Sequence, residues 1–186
     1  MPDAPGGKTR LFAAVAIPDG VTARMAALRA DIPGCRWLTA HHLTLRFIGE
    51  VEQDQATAIR ASLREVTAAP FSLAVRGLGL FAQSRQTVVW AGLEPSPALF
   101  RLKEGIDAAL AGGAGLPEPR GRFTPHITLA RLKTAPPAAL RAHVRENAAT
   151  GAGAFSVAAF GLYSSILAPG GAVHTLEEAY PLVVSE

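Results

Sequence analysis

Two short strings in this chain carry the residue types that phosphorus chemistry needs. His42-Leu43-Thr44-Leu45 recurs as His126-Ile127-Thr128-Leu129. An imidazole, with an ordinary pKa of about 6.5, can hold or release a proton near neutrality, so two of them can act as base and acid in one reaction. A threonine hydroxyl is a poor zinc ligand but a good donor to a phosphate oxygen. One neutral ring could take a proton from water while a protonated ring gives one to a departing oxygen. The hydroxyls would steady the charge on the non-bridging oxygens. By ordinary residue usage the pattern His-aliphatic-Thr-aliphatic turns up on the order of once in several thousand positions. Two copies in 186 residues are therefore a signal.

The surroundings of the two strings argue against other chemistries. Neither copy is flanked by a carboxylate cluster or by a further histidine or cysteine at zinc-ligand spacing. The chain has no nucleophile elbow, no Walker loop and no dinucleotide fingerprint. We therefore expect no metal and no cofactor at this site.

Strands must position these side chains. Alternation along a strand sends His42 and Thr44 to one face and Leu43 and Leu45 to the other, and it does the same for His126, Thr128 and their aliphatic neighbours. On a regular strand Arg46 shares the face of His42 and Thr44, which makes it a candidate anion contact, while His41 points the opposite way. His143, in a helix, and His174, near a turn, read as surface residues. Phe12, Trp37 and Phe123 could stack on a base, but apolar packing is the expectation for each. Lys8, Arg10, Arg120 and Arg122 read as solvated surface, with a basic rim as their alternative role.

The remaining periodicity predicts an alternation of strands and helices. Strands are expected at 9–17, 43–48, 71–81, 87–93, 123–130, 155–160, 162–167 and 173–184, with a short extended piece at 36–38. Helices are expected at 20–30, 52–66, from Ser96 as cap to about Leu110, and at 136–147. A polar turn, Gln83-Ser84-Arg85-Gln86, joins two of the strands, and a connector rich in glycine and proline spans 112–122. Many strands with four helices point to α+β with largely antiparallel pairing.

Composition sets the outer bounds. Hydrophobic residues make up 49% and charged residues 18%, enough for a buried core in one domain of two lobes spanning 1–186, with a flexible stretch at 1–8. The net charge of +3 favours an anionic partner, but no basic run suggests a long nucleic-acid groove. The single Cys35 excludes an internal disulfide. No apolar stretch is long enough to cross a membrane and no leader pattern is seen, so a cytoplasmic monomer is the default expectation.

At this point the sequence resembles the two-histidine (2H) phosphoesterase superfamily, and within it the RNA 2′,3′-cyclic phosphodiesterases, historically called 2′-5′ RNA ligases. The residues that carry the resemblance are Arg10-Leu11-Phe12, the string from His42 to Gly49, and Phe123-Thr124-Pro125 leading through His126 to Arg131. It covers essentially the whole chain from Thr9 onward. The resemblance implies a bilobal fold with pseudo-two-fold symmetry, two largely antiparallel sheets around a central cleft and helices outside. It also implies metal-independent hydrolysis of a 2′,3′-cyclic phosphate on RNA or a nucleotide to a 2′-phosphomonoester, with His126 as base and His42 as acid. Arg131 would reach the phosphate, although strict alternation points it away from His126 unless the strand bends at Ala130. The partners implied are RNA ends or nucleotides carrying the cyclic phosphate. The alternative of 2′-5′ RNA ligation stays open, as does a catalytically silent module that binds RNA ends.

Overall fold

The computed structural model describes residues 8–168 and 171–183. The flexible stretch expected at 1–8 thus lies outside the described residues except for Lys8, which faces Glu52 at 3.8 Å. Val184 of the last expected strand lies outside them too. In chain order the elements are β1 (Thr9–Ala16), α1 (Asp19–Ala26), β2 (Arg36–Trp37), β3 (His42–Val51), α2 (Gln53–Arg64), β4 (Phe71–Gln83) and β5 (Gln86–Leu93). There follow α3 (Pro97–Ala114), β6 (Ile127–Leu132), α4 (Ala138–Glu146), β7 (Gly151–Val157), β8 (Ala159–Ala168) and β9 (Gly171–Pro181).

The strands form one sheet in the order β7-β4-β5-β6-β3-β1-β8-β9, with β2 beside β6. Every pairing is antiparallel. The two sheets expected from the resemblance are the two halves of this path, β7-β4-β5-β6 and β3-β1-β8-β9. A single residue pair, Leu43 with Ile127, joins them. The halves are related by pseudo-symmetry: β1-α1-β3-α2 in one corresponds to β5-α3-β6-α4 in the other, with β8 and β9 matching β4 and β7.

Helices cover one face of the sheet, and two of them cross over. The helix after β1, α1, packs against β7 of the other half, where the Arg24 Nε donates to the Ala152 carbonyl at 2.7 Å. The helix after β5, α3, packs against α2 and against β3. Between helices and sheet lies the core, including Leu11, Leu43, Leu45, Ile59, Leu102, Ile106, Ile127 and Leu129, each at most 2% exposed. Each such side chain contributes roughly 1.5–3 kcal/mol through burial. The two aliphatic positions of each histidine string are thus anchors, as alternation predicts.

Local chemistry explains where several boundaries fall. Ser96 accepts a hydrogen bond from the Leu99 amide at 3.3 Å, and Pro97 occupies the first turn of α3. The helix runs past Leu110 through Gly112 and Gly113 because a tight approach to Ser62 of α2 needs a residue without a β-carbon at 113. Packing overrides the low helix propensity of glycine here. The helix stops at Gly115, whose φ of 64° is the left-handed geometry of a C-terminal cap. Segment 123–126, expected to open a strand, remains outside the sheet, and β6 begins at Ile127.

Candidate active site

The face of the sheet opposite the helices carries both histidine strings. His42 and Thr44 project from β3, and His126 and Thr128 from the start of β6, side by side across the Leu43–Ile127 junction. All four are partly exposed, so solvent reaches both rings. The rings lie close enough that the charge of His126 bears on His42.

A β-bulge in each string sets the direction of the side chains beyond the threonine. In β3, Ala13 pairs with Arg46 while Ala14 pairs with Thr44, so Leu45 and Arg46 together oppose one residue. In β6, Val89 pairs with Ala130 while Trp90 pairs with Thr128, so Leu129 and Ala130 do the same. Each bulge puts two successive side chains on the core face and returns the next one to the cleft. Arg131 therefore faces the cleft with His126 and Thr128, resolving its conflict with alternation through a bend at Ala130. Phe47 takes the matching place after the first string and is 61% exposed.

The same bulge corrects the expectation for Arg46. It does not share the face of His42 but is buried on the helix side, 8% exposed. One guanidinium nitrogen lies 3.4 Å from the Asp107 carboxylate and another donates to the Pro117 carbonyl. Asp107 is also held by Lys103. Arg46 is a core ion-pair residue and no phosphate ligand.

Each catalytic candidate stands against an aromatic wall. The His42 ring centroid is 5.0 Å from Phe12 and 5.0 Å from His174, and Phe12 stacks on Tyr163 at 5.4 Å. The His126 ring meets Phe81 edge-on at 4.9 Å, with Trp90 at 6.3 Å. Trp90 lies flat over Gly79, its cross-strand partner, where any β-carbon would run into the indole. Sequence reasoning missed His174, Phe81 and Trp90. None of the three carries a local signal, since in His174-Thr175-Leu176 the threonine directly follows the histidine and the string does not repeat. His174 is exposed as expected, but it sits on β9 with its ring against Phe12 and His42.

His41 has a structural role, its Nδ1 lying 3.1 Å from the Thr128 carbonyl and so tying the two strings together. The surface expectation for His143 changes. His143 is half-buried, with Nε2 2.8 Å from the Leu28 carbonyl beyond α1. Phe123 packs on Phe100 and Trp37 donates to the Ala30 carbonyl, both structural as expected.

The electrostatics of the two rings differ. Burial pushes His42 down from 6.5 to about 4, and the neighbouring positive charges of His174, His41, Arg131 and His126 add to the shift. The free protein thus holds His42 neutral at pH 7. His126 Nδ1 lies 2.8 Å from the Thr124 carbonyl. A carbonyl can only accept, so Nδ1 carries the hydrogen and the Nε2 lone pair of the neutral ring faces outward. Among the described residues no group of three His, Cys, Asp or Glu side chains is arranged to hold a metal ion.

Comparison with known proteins agrees with this arrangement. Residues 17–166 match the family model of the 2′-5′ RNA ligase superfamily. The RNA 2′,3′-cyclic phosphodiesterase of Archaeoglobus fulgidus is 30% identical over 171 residues, 89% of this chain and 96% of that protein. That of Aeropyrum pernix is 35% identical over 137 residues, 72% of this chain and 77% of its own length. The crystal structure of E. coli LigT in its apo form superposes with a TM-score of 0.78 at 27% identity, covering 96% of this chain and 99% of that one. By the span of the match and by the paired strings at its centre, the chain belongs to the 2′-5′ RNA ligase superfamily.

Proposed function

We propose that this protein hydrolyses the 2′,3′-cyclic phosphate of an RNA end or nucleotide to a 2′-phosphomonoester, with His42 and His126 as its acid–base pair. The observation that carries the reading is the junction at Leu43 and Ile127, which brings two copies of one imidazole–hydroxyl pair to a single open cleft. The phosphodiesterase activity named for the relatives supports it, as do E. coli LigT structures with 3′-AMP and with phosphate.

The proposed steps use both strings. The phosphate lies between the rings, its non-bridging oxygens toward the Thr44 and Thr128 hydroxyls and the Arg131 guanidinium. Water attacks phosphorus on the side away from the 3′ oxygen, and one imidazole takes its proton. As the bond from phosphorus to the 3′ oxygen breaks, the other imidazole protonates that oxygen, leaving a 3′ hydroxyl and a 2′ phosphate. The outward lone pair on His126 Nε2 suits the base. For His42 to act as acid, the arriving phosphate anion must offset the surrounding positive charge and restore its proton. The same two proton transfers describe 2′-5′ ligation when the 5′ hydroxyl of a second RNA attacks phosphorus in place of water, and water at high concentration favours hydrolysis.

The test is incubation of the protein with a nucleoside 2′,3′-cyclic phosphate in the presence of a chelator. We expect a 2′-phosphate product, lost in His42→Ala and in His126→Ala. Binding without turnover by the unaltered protein would instead support a silent RNA-end module. Activity lost on chelation would overturn the metal-free mechanism.

A further inference from the structure

One cross-strand pair in the cleft is not explained by hydrolysis of a lone cyclic phosphate. Arg36 of β2 lies directly opposite Arg131 of β6. Directly paired residues project to the same face, so two arginine side chains leave the sheet from neighbouring positions on the cleft surface. Like charges in that position repel, and a fold gains nothing from them unless an anion lies between or beside them. Neither arginine has a carboxylate partner within 4.0 Å among the described residues, although Arg46, Arg60, Arg64 and Arg76 all do.

The two side chains serve different parts of the cleft. Arg131 acts on the charge of both His42 and His174, which places it toward the reacting centre. Arg36 reaches away from it to the start of β9, where a β-carbon on Gly171 would sit 3.3 Å from the guanidinium carbon. Arg36 therefore spans from β2 in one half to the start of β9 in the other.

We infer that Arg36 forms a second anion subsite, which takes the phosphodiester immediately 5′ of the nucleotide bearing the cyclic phosphate. The inference rests on the cyclic phosphodiesterase reading above and deepens it: the preferred substrate is an RNA 3′ end, and a free mononucleoside cyclic phosphate is the poorer one. Arg131 grips the reacting phosphate, Arg36 the next along the strand. A mononucleoside with a free 5′ hydroxyl fills only the first.

The experiment compares a nucleoside 2′,3′-cyclic phosphate bearing a 5′ hydroxyl with a dinucleotide ending in the same cyclic phosphate. Both are assayed with the wild type, Arg36→Gln and Arg36→Lys. We expect the wild type to prefer the dinucleotide, and Arg36→Gln to lower the ratio of the two kcat/KM values about tenfold, the scale of one charge-assisted contact at a partly exposed site. Arg36→Lys should keep much of the ratio because it keeps the charge. The slope of log KM against log salt for the dinucleotide should flatten by about 0.7 in Arg36→Gln, the effect of removing one cation from a single-strand phosphate. An unchanged ratio, an equal loss on both substrates, or a wild type indifferent to the extra nucleotide would overturn the subsite while leaving the hydrolase intact. A wild type that turns over neither substrate would overturn the hydrolase reading, and the subsite with it.

Discussion

Replacing Arg46 by leucine separates the two arginines that come after the histidine strings and tests the bulge that sorts them. Arg46 is 8% exposed, 3.4 Å from Asp107 and bonded to the Pro117 carbonyl. Removing one partner of a buried ion pair costs about 3–5 kcal/mol, because the remaining charge is left in a poor solvent. Here Lys103 still holds Asp107, so the lower end applies, about 3 kcal/mol. For a chain of this length each kcal/mol lowers Tm by roughly 2–4 °C, which gives a fall of about 6–12 °C. The folded fraction of Arg46→Leu, assayed well below its Tm, should keep kcat/KM within about twofold, since nothing in the cleft has changed. Arg131→Ala should do the reverse. Its side chain is exposed and has no carboxylate partner among the described residues, so Tm should move by no more than the equivalent of about 0.5 kcal/mol. The loss of a charged phosphate contact worth about 1.5–3 kcal/mol should cut kcat/KM about 10- to 150-fold. Thermal unfolding and steady-state kinetics on the two purified variants provide the measurement. If Arg46→Leu melts like the wild type and loses activity more than tenfold, the bulge has been misread and Arg46 belongs in the cleft after all.

The protonation of His42 can be followed directly. Its ring in the free protein should titrate near pH 4, and adding inorganic phosphate should move that titration upward; a titration near 6.5 in the free protein would remove the electrostatic account of this site. Because the native pKa lies below the unfolded value, the unfolded chain binds the extra proton first. This contribution to stability is complete above about pH 6.5 and is lost as pH falls toward 4, by at most about 3 kcal/mol. Denaturant unfolding at several pH values should show that slope, and His42→Gln should lack it. Thr128→Val should lower kcat by about tenfold or more with little change in Tm, and equal kinetics would remove the hydroxyl from the phosphate site. Gly79→Ala should displace the Trp90 indole, visible as altered tryptophan fluorescence and reduced activity, because no room exists for a β-carbon beneath that ring.

What the sequence made legible was whatever obeys local periodicity. The repeated string announced the histidines, the threonines and their anchoring aliphatics, and alternation placed all eight on their proper faces. Ser96 announced a helix start because a capping side chain is a local device. What escaped were features set by distant pairing. A bulge is invisible in a regular pattern, so Arg46 was expected at the phosphate and lies in the core. His174 was expected at a surface and is exposed there, but nothing in its own neighbourhood says that β9 would lie next but one to β1, with its ring against Phe12 and His42. The glycines at 112 and 113 suggested a loop, and only the pressure of α2 kept them helical.

The crossed helices have a mechanical consequence. With α1 seated beneath β7 and α3 beneath β3, each half of the molecule rests on a support threaded from its counterpart. Opening the cleft like a clamshell would drag both supports out of apolar beds and into water. The gap between the two imidazoles is therefore a fixed gauge, set when the chain folds. Any adjustment to a ligand there falls to side chains and not to a swing of the two halves.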